Sequence, residues 1–174
     1  MNPYLALTRP GNMILTAVAV IAGAFIAAGP EIMDFQIEVA ICCLCSMMLV
    51  GGGNALNDYN DRETDKENHP ERPIPSGSIS ADRAIVCAQA LLALGLLILL
   101  LALDNPMPFA VAMAGIILLI AYENGLKAAG IIGNIVVGLM SGAVFLFAGV
   151  AVDEPGATLW MFGLAVLATI TREI

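Results

Sequence analysis

The sequence predicts an all-α fold, a polytopic transmembrane bundle of about six helices, and three observations predict it. The first is composition: 59% of the 174 residues are hydrophobic and 13% are charged, with a mean hydropathy of +0.88, whereas soluble domains carry about 25% charged residues. The second is the recurrence of apolar stretches approaching the roughly 20 residues that cross a bilayer core. They are 12–29, 35–56, 83–103, 106–122, 128–152 and 157–171. The third is where the cations fall. All seven Lys and Arg residues (Arg9, Arg62, Lys66, Arg72, Arg83, Lys127, Arg172) lie before the first stretch, between the second and third, between the fourth and fifth, or after the sixth. The remaining connections carry only the acids Glu31, Asp34, Glu38, Asp104, Asp153 and Glu154. By the positive-inside rule, both ends and the polar loops are then expected on the cytoplasmic side of a cell membrane. One span more or fewer would scatter the cations over both sides. No repeat, low-complexity tract or shift in composition marks a second domain, so 1–174 reads as a single membrane domain.

The net charge of −8 argues against nucleic acid as a partner, because that role needs a basic face. The four cysteines, Cys42, Cys43, Cys45 and Cys87, lie inside spans and lack the spacing of a zinc site. Cys42, Cys43 and Cys45 point in different directions around a helix and read as packing residues. The apolar run near the start is not a cleavable signal, since Arg9 stands in a polar cap and more spans follow.

In chain order, residues 1–12 form a short amphipathic segment that Pro10 and Gly11 are expected to break, leaving Arg9 and Asn12 at the mouth of the first span. Arg9 in that place also suits an interfacial anchor that snorkels to lipid phosphates. The first span is rich in Ala, with Gly23, a composition that lets helices approach closely in lipid. The second carries Gly51, Gly52 and Gly53, each costing a helix about 1 kcal/mol relative to Ala. Such a run implies a tight backbone crossing or a bend; a phosphate loop is weakly supported, because no Gly-Lys-Ser/Thr follows. Met47 and Met48 read as core.

The polar segment 54–77 is the one long hydrophilic stretch. Asn57, Asp61 and Asp65 are spaced i, i+4, i+8, and Asp58 stands three and seven residues before the same two aspartates. On a continuing helix the four share a face. Two carboxylates about 6 Å apart repel by roughly 3 kcal/mol at an effective dielectric of 20 and by far less in water. The face is therefore either a solvated helix end or, turned into a half-buried cavity, a place for a divalent cation. Ionisable groups at the mouth of an intramembrane bundle favour the second. Oxygen ligands without His or Cys suit a hard ion such as Mg2+, which takes one or two carboxylates and keeps water and phosphate oxygens. A calcium loop is excluded by the missing glycine and final glutamate. Arg62 and Lys66 follow Asp61 and Asp65 by one position. Pro70, Pro73 and Pro75 then forbid helix and predict an extended loop, in which His69 is a plain loop residue. Ser80, followed by Asp82 and Arg83, restarts a helix.

The run N57-D58-x-x-D61-x-x-x-D65, followed by R72-P73-I74-P75-S76-G77, resembles the first aspartate-rich signature of the UbiA-type intramembrane prenyltransferases. Arg9-Pro10 with Asn12 resembles that family's N-terminal motif, and Tyr122 with Lys127 and Gly133-Asn134 its second cytoplasmic loop. Residues 144–152 (VFLFAGVAV) and 169–174 (TITREI) look most like the archaeal subgroup, the digeranylgeranylglyceryl phosphate synthases. Glu123 and Lys127 also fit an ordinary i, i+4 ion pair, and Gly138 and Gly142 fit GxxxG packing.

The resemblance implies Mg2+ on Asp58, Asp61 and Asp65, with Asn57 as neutral ligand or orienter. It implies the diphosphate of an isoprenoid donor near Arg62, Lys66, Arg72 and Lys127, with Arg9, Asn12, Tyr122 and Asn134 as further substrate contacts. The activity implied is transfer of a geranylgeranyl group from geranylgeranyl diphosphate to geranylgeranylglyceryl phosphate, a lipid-like acceptor, in archaeal ether-lipid synthesis. The alternatives are transfer to an aromatic quinone or chlorin precursor, and a half-enzyme that binds Mg2+ and prenyl diphosphate without turnover. Two departures stand out. Asn68-His69-Pro70 replaces the family's usual Asn-Arg-Pro, and the second aspartate motif is expected beyond residue 174. The chain accordingly corresponds to about the first two thirds of a nine-helix fold, and by itself is expected to turn over little.

Overall fold

The structure, a computed structural model, describes residues 2–172; Glu173 and Ile174, within the 169–174 resemblance, lie outside them. Eight α-helices occur among the described residues: α1 Pro3–Thr8, α2 Pro10–Ala28, α3 Gln36–Asn60, α4 Arg62–Asn68, α5 Ala81–Ala102, α6 Met107–Glu123, α7 Ile131–Ala151 and α8 Pro155–Arg172. Helices α2, α3, α5, α6, α7 and α8 answer to the six apolar stretches. Three segments are long and apolar enough to cross a membrane by length and composition: Pro10–Asn60, Ala81–Ala102 and Ile131–Ala151. The first is α2 and α3, folded back on each other at the 3-10 segment Gly29–Phe35, while Met107–Glu123 is a shorter apolar helix. Large apolar side chains face outward, with Leu101 74% and Ile37 71% exposed, as lipid-facing surfaces require.

The break after α1 differs from the expectation. It falls at Arg9, whose φ of 53° is left-handed, while Pro10 and Gly11 belong to α2. Proline suits the first position of a helix, where its missing N–H has no partner to lose. Ser80 caps α5 by accepting from the Arg83 N–H at 3.4 Å.

Small residues set the spacing of the bundle. Val20 and Ala24 of α2, Cys42 and Cys45 of α3, Leu99 of α5, and Phe147 and Ala148 of α7 close one core. The glycine run of α3 resolves as a tight crossing without interruption of the helix. A Cβ on Gly52 would stand 2.9 Å from Leu92 Cγ and 3.0 Å from the Ala88 carbonyl oxygen of α5. Gly138 and Gly142 likewise meet the Val166 and Phe162 carbonyls of α8, at 3.1 and 2.8 Å. Gly52→Ala is expected to destabilise the bundle by about 1–3 kcal/mol through overpacking. Gly163→Ala, in open space on α8, is expected to be neutral or to gain up to about 1 kcal/mol. SDS-induced unfolding in mixed micelles reads both, and equal midpoints for the two variants would refute the close crossing.

Candidate active site

The polar segment begins as helix because backbone hydrogen bonding does not stop where hydrophobicity does. Past the end of α3, the Asp61 N–H donates to the Asn57 carbonyl at 2.9 Å and the Asp65 N–H to the Asp61 carbonyl at 2.8 Å, so helical spacing continues into α4. The single face expected of 57–65 divides in two. Asp58 and Asp65 turn towards Arg9 and Arg72, whereas Asn57 and Asp61 turn towards the end of α6.

The first half is buried. Asp58 and Asp65 are 2% and 4% exposed. Arg9, at the corner between α1 and α2, donates from Nη2 to Asp58 Oδ1. Asn54 Nδ2 donates to the Thr8 carbonyl at 3.0 Å and fixes that corner against α3. Arg72 Nη1 donates to Asp65 Oδ2 at 2.6 Å and stands 3.7 Å from Asp58 Oδ1, so one guanidinium spans two carboxylates. The loop that aims it is folded, not extended. The Arg72 N–H bonds the His69 carbonyl, Ser76 N–H the Arg72 carbonyl and Ile79 N–H the Pro73 carbonyl, with Gly77 at φ 74°. The prolines exclude helix but allow successive turns, and burial of Ile79 against Leu7, Ala55, Ala84 and Ala88 pins them.

The second half is more open. Lys127 Nζ donates to both oxygens of Asp61, at 2.6 and 2.5 Å. Asn57 Nδ2 donates to Asp61 Oδ2 at 3.1 Å and to Glu123 Oε1 at 3.0 Å, and Asn60 Nδ2 to Glu123 Oε2 at 3.2 Å. The i, i+4 pairing of Glu123 with Lys127 does not form. Helix α6 ends at Glu123, and Gly125 at φ 143° turns the chain, so the spacing is no longer helical.

The structure thus brings together Arg9, Asn57, Asp58, Asp61, Asp65, Arg72 and Lys127. Other expected residues stand elsewhere. Arg62 lies 4.4 Å over the Tyr59 ring and donates to the Tyr59 carbonyl at 2.7 Å. Lys66 donates to Glu63 at 2.6 Å and holds that exposed carboxyl below the usual carboxylate range. Asn12 is exposed in the first turn of α2, where its carbonyl accepts from Thr16. Asn134 lies half-buried in the first turn of α7. Asn60 and Asn54 belong to the cluster and were not singled out by the sequence, and Glu123, read there only as a helical partner of Lys127, belongs to it as well. An acid at the end of an apolar helix, two residues before a glycine, was the available signal for Glu123.

Beneath the second half opens a cavity of about 420 Å³, within the 300–1,000 Å³ range usual for small-ligand sites. Its walls are apolar side chains of α3, α5, α6 and α7, among them Leu49, Leu92, Ile116, Val144 and Phe147. Asn54, Asn57, Tyr122 and Glu123 form its polar end. Through Asn57 this polar end adjoins the pair formed by Asp61 and Lys127, so an apolar slot and a charged cluster stand side by side.

The donor set suits Mg2+. It offers only oxygen ligands, and this ion takes one or two carboxylates; Asp58 and Asp65, paired in this structure with Arg9 and Arg72, are two such groups. No three His, Cys, Asp or Glu side chains converge as a ready-made ligand group among the described residues. Water and phosphate oxygens would therefore have to complete the shell.

Residues 16–173 match the family described as the UbiA prenyltransferase family. The chain belongs to the UbiA prenyltransferase family. Among UbiA relatives, the digeranylgeranylglyceryl phosphate synthase of Methanopyrus kandleri is 36% identical over 174 residues, covering 100% of this chain and 62% of the relative. That of Methanothrix thermoacetophila is 36% identical over 170 residues, covering 98% and 62%. A solved structure, described as a study of digeranylgeranylglyceryl phosphate synthase in membranes, superposes with a TM-score of 0.88 at 31% identity, over 98% of this chain and 60% of that one. The chain thus spans about 60% of the length of these UbiA relatives. The all-α, multi-pass membrane fold read from the sequence is the fold of this UbiA-family chain.

Proposed function

We propose that the chain forms the donor-binding part of a Mg2+-dependent enzyme that transfers a geranylgeranyl group from geranylgeranyl diphosphate to geranylgeranylglyceryl phosphate. One observation carries the reading: the polar end of the apolar cavity holds Asn57, whose amide donates to Asp61 of the cluster of aspartates and cations, so a single ligand could lay its tail in the cavity and its anionic head beside the cluster. The relatives' name, digeranylgeranylglyceryl phosphate synthase, gives a product, and the proposed substrate pair is the one that would make it. The cation-bearing ends of α3, α6 and α7 would face the cytoplasm, as the positive-inside rule requires, in one membrane unit.

Asp58 and Asp65 on the buried half, and Asp61 and Asn57 on the open half, are the residues that would hold the ion. When bound, Mg2+ draws charge from the departing diphosphate as a Lewis acid. Arg9, Arg72 and Lys127, paired in this structure with Asp58, Asp65 and Asp61, are the cations that would meet the diphosphate oxygens, and Arg offers a planar fork where Lys offers a point charge. Leu49, Leu92, Ile116 and Phe147 line the tail slot and exclude water from the allylic carbon. In the reaction the bond from that carbon to the diphosphate oxygen breaks, its electron pair leaving on the diphosphate. The acceptor hydroxyl oxygen forms the new C–O bond and its proton passes to solvent.

Membranes containing the protein, given labelled geranylgeranyl diphosphate and either geranylgeranylglyceryl phosphate or a quinone-precursor ring, are expected to retain the donor in a Mg2+-dependent way, and what product forms, in low yield, is expected to be labelled ether lipid. A labelled aromatic product without ether lipid would replace the acceptor in this reading. Retained donor with no product from either acceptor would reduce the chain to a binding unit.

A further inference from the structure

Glu123 is the one acid at the cavity mouth that the reaction scheme above leaves unused. It lines the cavity, and its position differs in kind from those of the three aspartates beside it. Asp58 is paired with Arg9, Asp65 with Arg72 and Asp61 with Lys127, each a carboxylate on a cation. Glu123 instead spreads its two oxygens over two neutral amides, Oε1 on Asn57 at 3.0 Å and Oε2 on Asn60 at 3.2 Å. It reaches them from the last turn of α6, across the cavity mouth and 66 residues away from Asn57 in sequence.

The consequence falls on Asn57. A side-chain amide has two N–H donors and one carbonyl acceptor. Both Asn57 donors are committed to carboxylate oxygens, one to Asp61 and one to Glu123. An amide held between two carboxylates can only donate to them, so its orientation follows from the network. The atom left with capacity is Oδ1, an acceptor. An acceptor attracts a cation and repels a phosphate oxygen, so Asn57 is set to serve the ion and not the diphosphate.

We propose that Glu123 is a positioning residue, which clamps the end of α6 to the 57–60 turn and locks the Asn57 amide with its carbonyl oxygen available to a divalent cation. The inference rests on reading 57–65 as a divalent-cation site. Partners that orient a ligand from behind are worth about 10- to 100-fold in metal affinity when removed.

The test is Mn2+ binding to the full purified chain in detergent, with no substrate present, followed by the loss of the free Mn2+ electron paramagnetic resonance signal. Thermal unfolding monitored by helical circular dichroism controls for folding. Glu123→Ala is expected to weaken Mn2+ binding by about 10-fold or more. Glu123→Gln removes the charge but keeps a carbonyl that can accept from Asn57, its new amide being able to donate to Asn60 Oδ1. It is expected to stay within about 3-fold of the parent, closer than the range for a lost orienting partner. Asn57→Ala is expected to weaken binding at least as much as Glu123→Ala, and the double variant no further than Asn57→Ala alone, since the two residues act through one atom.

Equal losses in the Gln and Ala variants would assign the effect to charge and overturn the proposal. So would strictly additive losses in the double variant, or unchanged binding in Glu123→Ala. Asp58→Asn separates this outcome from failure of the underlying reading. If Asp58→Asn weakens Mn2+ binding while Glu123→Ala does not, only the positioning role falls. If the parent binds no Mn2+, or none that Asp58→Asn weakens, both fall.

Discussion

Asp58→Asn is expected to lower kcat of the prenyl-transfer reaction by about 10²–10³-fold, the scale of removing a main electrostatic stabiliser of developing charge, while leaving the fold intact. Asp58 is buried at the end of α3, with Arg9 on one oxygen and Arg72 3.7 Å away. Asparagine keeps the size and a carbonyl for Arg9 but removes the charge that would hold the ion. Arg9, one-third exposed at its side chain, can rehydrate, so the unfolding midpoint should scarcely move. The assay is product formation in membranes across a Mg2+ titration. A variant that regains parental kcat at high Mg2+ would limit Asp58 to binding, and a variant with parental activity throughout would remove it from the site.

Arg72→Ala is expected to do the reverse and strike stability first. Its guanidinium neutralises Asp65, 2.6 Å away, and stands 3.7 Å from Asp58. Both carboxylates have almost no access to water, with side chains 5% and 3% exposed. Removing one member of a buried pair leaves a charge uncompensated, at about 3–5 kcal/mol. Because Asp58 keeps Arg9, the lower end is expected, about 3 kcal/mol, read from the SDS-unfolding midpoint. Arg72→Lys should recover part of this, since it keeps the charge and loses the fork. Adding Asp65→Asn to Arg72→Ala should recover most of it, because the stranded charge is gone. An Arg72→Ala midpoint equal to that of the parent would show that water reaches these carboxylates freely.

The spans were legible because a bilayer demands length and apolarity of any helix that crosses it, and both can be read along the chain. Their ends were less so. The second apolar stretch finishes at Leu56, but α3 runs to Asn60 and its hydrogen bonds continue through Asp65, as the helical spacing of the aspartates had allowed. Backbone bonding is indifferent to side-chain polarity, and helical bonding runs on to His69, immediately before Pro70. The aspartates were legible as a group because their spacing is local. Their division into two pairs was not, since it depends on where Arg9, Arg72, Glu123 and Lys127 arrive from other elements. Glu123 illustrates the limit: its spacing to Lys127 fitted a helical ion pair, and the turn at Gly125 sent both residues to the neighbouring helix. For the same reason the proline loop's compact turns, pinned by Ile79, were hidden behind a composition that also fits extended chain.

The contacts that build the site join distant parts of the chain: Arg9 to Asp58 across 49 residues, and both Asn57 to Glu123 and Lys127 to Asp61 across 66. None of these can exist before α2, α3 and α6 have docked, so the pocket comes into being with the closed bundle. A ligand that recognises only that arrangement is therefore linked to folding by mass action. At 100 times its dissociation constant it would add about 2.7 kcal/mol to the stability of the whole helix assembly. Supply of such a ligand would thereby become one of the forces holding the membrane protein together.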